Sequence, residues 1–69
     1  MIKAEIHLDR AREGKAMFPV KLAGVPEVGE EIIVDCLVKL PVIVLKRTWV
    51  AHDVTPFLKL EARLKRLPQ

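Results

Sequence analysis

Residues 2 to 9 alternate without a break: Ile2, Ala4, Ile6 and Leu8 are apolar, while Lys3, Glu5, His7 and Asp9 are polar. A period of two marks a strand with one face in a core and the other in water. Arg10 to Lys15, a polar stretch containing Gly14, reads as a hairpin connection. The returning strand spans Met17 to Leu22, with Phe18, Val20 and Leu22 inward. Pro19 lies within it and has no N–H for a ladder, which predicts an edge strand or a bulge.

The pattern changes between residues 30 and 51. Ile32–Val34 and Val42–Val44 are β-branched at consecutive positions, so these strands offer apolar groups to both faces of a sheet. The third strand is expected at Glu31 to Leu37. Leu40-Pro41 keeps the chain extended, because a residue before proline avoids the helical region. Val42 to Ala51 is the fourth strand and the longest, and it should bend across the sheet. The preceding connection, Ala23 to Glu30, contains Gly24, Pro26 and Gly29 and is rich in turns, with Val25 and Val28 expected under the barrel edge.

The last segment follows a turn at His52 to Thr55 and fits two readings. As a strand, Leu58, Leu60, Ala62 and Leu64 alternate with Lys59, Glu61, Arg63 and Lys65. As a helix, Thr55 is the N-cap, Pro56 the first helical residue, and Phe57, Leu60, Leu64 and Leu67 the apolar stripe. The unbroken alternation favours the strand, which would close a barrel. The fold class is therefore all-β: one small SH3-like barrel of about five antiparallel strands spanning residues 1–69.

The stretch Val25-Pro26-Glu27-Val28-Gly29-Glu30-Glu31-Ile32, then a strand containing Asp35, then Val42-Ile43-Val44-Leu45, resembles short uncharacterised bacterial proteins of the SH3-like β-barrel type. In those proteins a Pro-x-Val-Gly-Glu/Asp turn precedes two hairpin strands. The resemblance covers about half the chain and implies the small barrel. It brings no catalytic or binding residue with it. Where those proteins often place a glycine after the aspartate, this chain has Cys36.

Composition narrows the function. Hydrophobic residues make up 51% of 69 residues, more than so small a monomer readily hides. Small domains add disulfides, metals or subunits to their stability. The single cysteine excludes an intrachain disulfide, and Cys36, His7 and His52 have no structural zinc spacing, which leaves self-association. The longest uncharged apolar run, Leu40–Leu45, is far short of the ~20 residues that span a bilayer. The N-terminal residues alternate in charge and contain no apolar signal region, and with the lone cysteine they point to the cytoplasm.

Catalytic signals are missing. Asp35 beside Cys36 opposes thiolate formation, so the cysteine reads as a small hydrophobe. Glu27, Glu30 and Glu31 read as a solvated loop rather than an acid–base pair. A metal site from His7, Asp9 and His52 would need the turn after the fourth strand to pass close to the first. No catalytic residue, metal ligand or cofactor is assigned.

Two surfaces remain. Trp49 shares one face of a regular strand with Ile43, Leu45 and Arg47, and Val42, Val44 and Val50 share the other; one set fills the core and the other needs a cover. The preferred reading is a non-catalytic interaction or oligomerisation module, a homodimer joined through residues 31–51, with Trp49, Leu45, Ile43 and Ile33 at the partner interface. The second reading uses the net charge of +3 and a pI near 9.4. If the fourth and fifth strands pair antiparallel, Lys46, Arg47, Lys59, Arg63 and Lys65 form a basic strip for nucleic acid, extended by Arg66.

Overall fold

A computed structural model describes residues 1–10, 14–35 and 39–65. The chain is all-β, with strands β1 (Ile2–Asp9), β2 (Lys15–Leu22), β3 (Glu31–Asp35), β4 (Lys39–Val50) and β5 (Phe57–Leu64), and no helix among the described residues. They form one curled five-stranded sheet in the order β2-β1-β5-β4-β3, a half-barrel. The last segment is a strand, as its alternation indicates. Cys36, Arg66 and Leu67 lie outside the described residues.

The expected small all-β barrel of five strands is present as a half-barrel, consistent with the SH3-like type, and its pairing departs from the all-antiparallel expectation. β5 lies between β4 and β1, antiparallel to the first and parallel to the second. The sheet does not close into a ring: β2 and β3 are its terminal strands. Insertion of β5 beside β1 makes the chain's first and last strands central, and both are apolar on one side only.

The inner face is built by period-two alternation. Ala4, Ile6 and Leu8 of β1 stand opposite Leu58, Leu60 and Ala62 of β5, and all are buried. Val42 and Val44 of β4 and Val34 of β3 complete the core, with Phe18, Val20, Leu22 and Ile32 packed against it. Burial of this set is the main stabilising term of so small a fold.

β4 bends at an extra residue. Val44 pairs with Ala62 and Lys46 with Glu61, so Leu45 forms a β-bulge. Directly opposed residues share a face. Before the bulge the core side of β4 carries Val42 and Val44; after it, Arg47 opposes Leu60 and Trp49 opposes Leu58. A regular strand puts Trp49 with Ile43 and Leu45, and the bulge moves it to the other face.

The connection before β3 is a type II turn. Glu30 N–H donates to the Glu27 carbonyl at 3.0 Å, and Gly29 has φ +93°, the sign this turn requires at its third position. Gly29 N–H donates to the Val44 carbonyl at 2.8 Å and Val44 N–H to the Glu30 carbonyl at 3.0 Å, a glycine bulge that locks the turn onto β4. The Glu30 carboxylate accepts from Glu27 N–H at 3.1 Å. Val25 and Val28, expected under the barrel edge, are exposed; Pro26 is the buried residue of this segment. With its own N–H absent and its carbonyl taken by Arg47, Pro26 is the position best able to enter the interior.

These bonds also fix which backbone groups face the sheet edges. Val44 N–H points at the β3 side, so Val42 and Leu40 do too, and their partners Ile32 and Val34 bond to β4. Glu31, Ile33 and Asp35 then direct N–H and C=O away from the sheet. On the opposite edge, Arg10 N–H donates to the Gly14 carbonyl at 3.0 Å. The alternation that follows turns the backbone of Met17, Pro19 and Lys21 outward. Pro19 therefore occupies a terminal strand and withholds its donor where no ladder needs it, as the sequence indicates.

Candidate functional site

The outer face of the sheet is a lattice of alternating charge. Across the strands, one row reads Lys15, Asp9, Arg63, Ile43; the next Met17, His7, Glu61, Lys46; the next Pro19, Glu5, Lys59, Thr48. The basic strip is divided by this arrangement. Lys46, Lys59 and Arg63 do share the outer face of the antiparallel β4–β5 pair, but Lys46 stands opposite Glu61, Lys59 beside Glu5, and Arg63 beside Asp9. Lys65 Nζ is 2.8 Å from Glu31 Oε1. Arg63 Nη1 donates to the Leu64 carbonyl at 3.1 Å. Arg47 leaves the strip for the inner side, where its Nη1 donates to the Pro26 carbonyl at 3.3 Å. Two of these acidic neighbours, Glu5 and Asp9, belong to β1, which the sequence gives no reason to place beside β5.

The four apolar interface residues are also divided. Ile33 is 51% exposed and stands beside Pro41; Ile43 lies two positions further along the same face of β4, and Leu45, 50% exposed, follows in the bulge. Those three with Pro41 make one apolar strip. Trp49, 58% exposed, is on the opposite face, over Leu58 at the end of the half-barrel.

His7 is held by Glu5, whose Oε1 is 3.1 Å from Nε2 on the same face of β1. A depression of about 400 Å³ surrounds it, lined by Asp9, Lys15, Met17, Leu45, Lys59 and Glu61 among others. His52 lies in the turn before Phe57, its Nδ1 accepting from Val54 N–H at 3.2 Å. His7 is level with Glu61. Along a strand at ~3.3 Å per residue the two histidines are more than ~10 Å apart. Among the described residues no cluster of three or more His, Cys, Asp or Glu side chains is placed to hold a metal ion. Glu30 and Glu31 serve the turn and the Lys65 ion pair.

One feature of this surface was not among the sequence candidates: the outward backbone of β3. β2 and β3 line opposite sides of a cleft of about 250 Å³, with Ile6, Phe18, Val20, Leu22, Ile32 and Val34 on its apolar side and Pro19, Lys21, Ile33 and Asp35 at its rim. The signal for it is the contrast between Pro19 in one terminal strand and the proline-free run Glu31–Asp35 in the other.

The fold and these surfaces define the chain as a small all-β half-barrel. No protein-family model, curated protein or solved structure matches it. No helix among the described residues is long and apolar enough to cross a membrane.

Proposed function

We propose that this protein is a non-catalytic interaction module that forms a homodimer through the outer face of β3 and β4. The observation that carries this reading is the strip Ile33, Pro41, Ile43, Leu45, which stands beside the charged and histidine side chains that β1 and β5 present on the same face. An apolar centre with a charged rim is the ordinary anatomy of an interface. The rim here holds both signs: Asp35 and Lys39 in register at one end, Glu61 and Lys46 at the other, and Glu31 with Lys65 along the side. Such a rim is complementary to its own copy under a two-fold operation. A single cysteine suits the reducing conditions of the cytoplasm, where the module would act.

The nucleic-acid reading has less support, because every outer-face cation named for it has a carboxylate beside it or in an ion pair with it. Sedimentation velocity over a hundredfold concentration range tests the dimer. A mass that doubles with concentration, and returns to the monomer in Ile43→Lys/Leu45→Lys, is expected. A monomer at every concentration overturns the proposal.

A further inference from the structure

A half-barrel with two terminal strands has two edges at which another chain can add, and here the edges differ. β2 turns Pro19 outward between Met17 and Lys21, so its ladder is interrupted at the centre, and lysines stand at both Lys15 and Lys21. Proline and lysine are the usual guards of an edge strand. β3 turns Glu31, Ile33 and Asp35 outward with every N–H and C=O in place, and among the described residues its only ladder is with β4. The ground beside it is the cleft, where Ile6, Phe18 and Val20 lie next to Ile32 and Val34. A chain lying there finds backbone partners on one side and an apolar floor beneath.

We propose that the β3 edge binds an extended segment of another protein, added as a sixth strand antiparallel to β3 and lying in the cleft toward β2. The segment's chemistry follows from period-two geometry. Residues opposite Ile32 and Val34 face the floor and are apolar. The residue opposite Ile33 faces outward beside a half-exposed isoleucine and is apolar or β-branched. Backbone pairing supplies the affinity and the floor selects the side chains. β2 lines the far side of the same cleft, which suits a single extended chain rather than the edge of a second folded sheet. This docking uses the backbone edge of β3 and the cleft, whereas the dimer strip lies on the outer face of β3 and β4. Ile33 is common to both, by its backbone to the first and by its side chain to the second.

The test is a library of random decapeptides displayed on phage and selected against the whole protein, followed by synthesis of the best binder. Selected sequences are expected to show apolar residues at alternate positions and to bind at micromolar Kd. N-methylation of the peptide at alternate backbone positions should weaken binding at least tenfold, and methylation at the intervening positions less than twofold. On the protein, Ile33→Pro removes an outward N–H that the β3–β4 ladder does not use and should abolish binding, whereas Ile33→Ala, which keeps that N–H, should retain most of it. Because the methylation series leaves the protein unchanged, it decides the matter even if Ile33→Pro does not fold. Absence of any selected binder, or a methylation series without alternation, overturns the proposal. The Ile43→Lys/Leu45→Lys variant should bind the peptide normally, so loss of the dimer and loss of the peptide site are read separately.

Discussion

The Arg47 guanidinium donates to the Pro26 carbonyl at 3.3 Å, joining positions 21 residues apart. Leu45 makes this bond possible, since without the extra residue Arg47 would face the outer lattice with Ile43. Replacement of Arg47 by alanine leaves a buried proline's carbonyl without its donor and should cost ~1–2 kcal/mol in urea denaturation. Lys46→Ala, one residue earlier on the outer face, should stay within ~0.5 kcal/mol. Equal responses would show that the bulge does not separate the two side chains.

The turn before β3 offers a test of backbone geometry alone. Gly29 has φ +93°, and nothing lies within 4 Å of a Cβ added there. Gly29→Ala should therefore destabilise by ~1–2 kcal/mol through left-handed strain without a steric clash. Gly24 has the same open surroundings without a positive φ. Gly24→Ala should be neutral or stabilising by up to ~1 kcal/mol, since it removes freedom only from the unfolded chain. Thermal unfolding should show a lowered midpoint for Gly29→Ala and an unchanged or raised one for Gly24→Ala if the turn is as described.

Trp49 and Leu45 separate the two faces of β4. Under the proposed dimer, Leu45→Lys should weaken self-association by at least tenfold, while Trp49→Ala leaves the dimer's sedimentation coefficient unchanged. A dimer lost on Trp49→Ala but retained on Leu45→Lys would move the interface to the inner face.

The charge lattice predicts weak, nearly sequence-blind attraction to nucleic acid. Anisotropy of labelled single- and double-stranded DNA between 50 and 200 mM salt should report a slope equivalent to only one or two phosphate contacts. Removal of the acidic neighbours, as Glu5→Gln/Glu61→Gln, should steepen that slope. A steep slope in the unaltered protein would restore the basic strip as a binding surface.

Much of the fold was legible because local periodicity settled it. The alternation of Ile2 to Asp9 and of Leu58 to Lys65 fixes both the strands and their inner faces, and Pro19 fixes a terminal strand. What was illegible depends on long-range pairing or on one inserted residue. Nothing between Ile2 and Asp9 indicates that β5 will lie parallel beside it, so the carboxylates of Glu5 and Asp9 were missing from the view of Lys59 and Arg63. Leu45 looks like any residue of an apolar run, yet it reverses the faces of everything after it and separates Trp49 from Ile33 and Ile43. Side-chain patterns likewise leave unseen the outward backbone of Ile33, which follows from hydrogen bonds at Val44.

The parallel pairing of β1 with β5, Ala4 beside Leu58 and Leu8 beside Ala62, also governs when the molecule can assemble. Closing that ladder joins the first strand to the fifth, a contact of high sequence separation that forms slowly. During synthesis the β1–β2 hairpin emerges first and waits, its row of Ile6, Leu8 and Phe18 uncovered, until Leu58 and Leu60 have left the ribosome. Commitment to the native sheet comes only with the final strand, and until then the nascent chain depends on Pro19 and the lysines of β2 to keep its edge from pairing elsewhere.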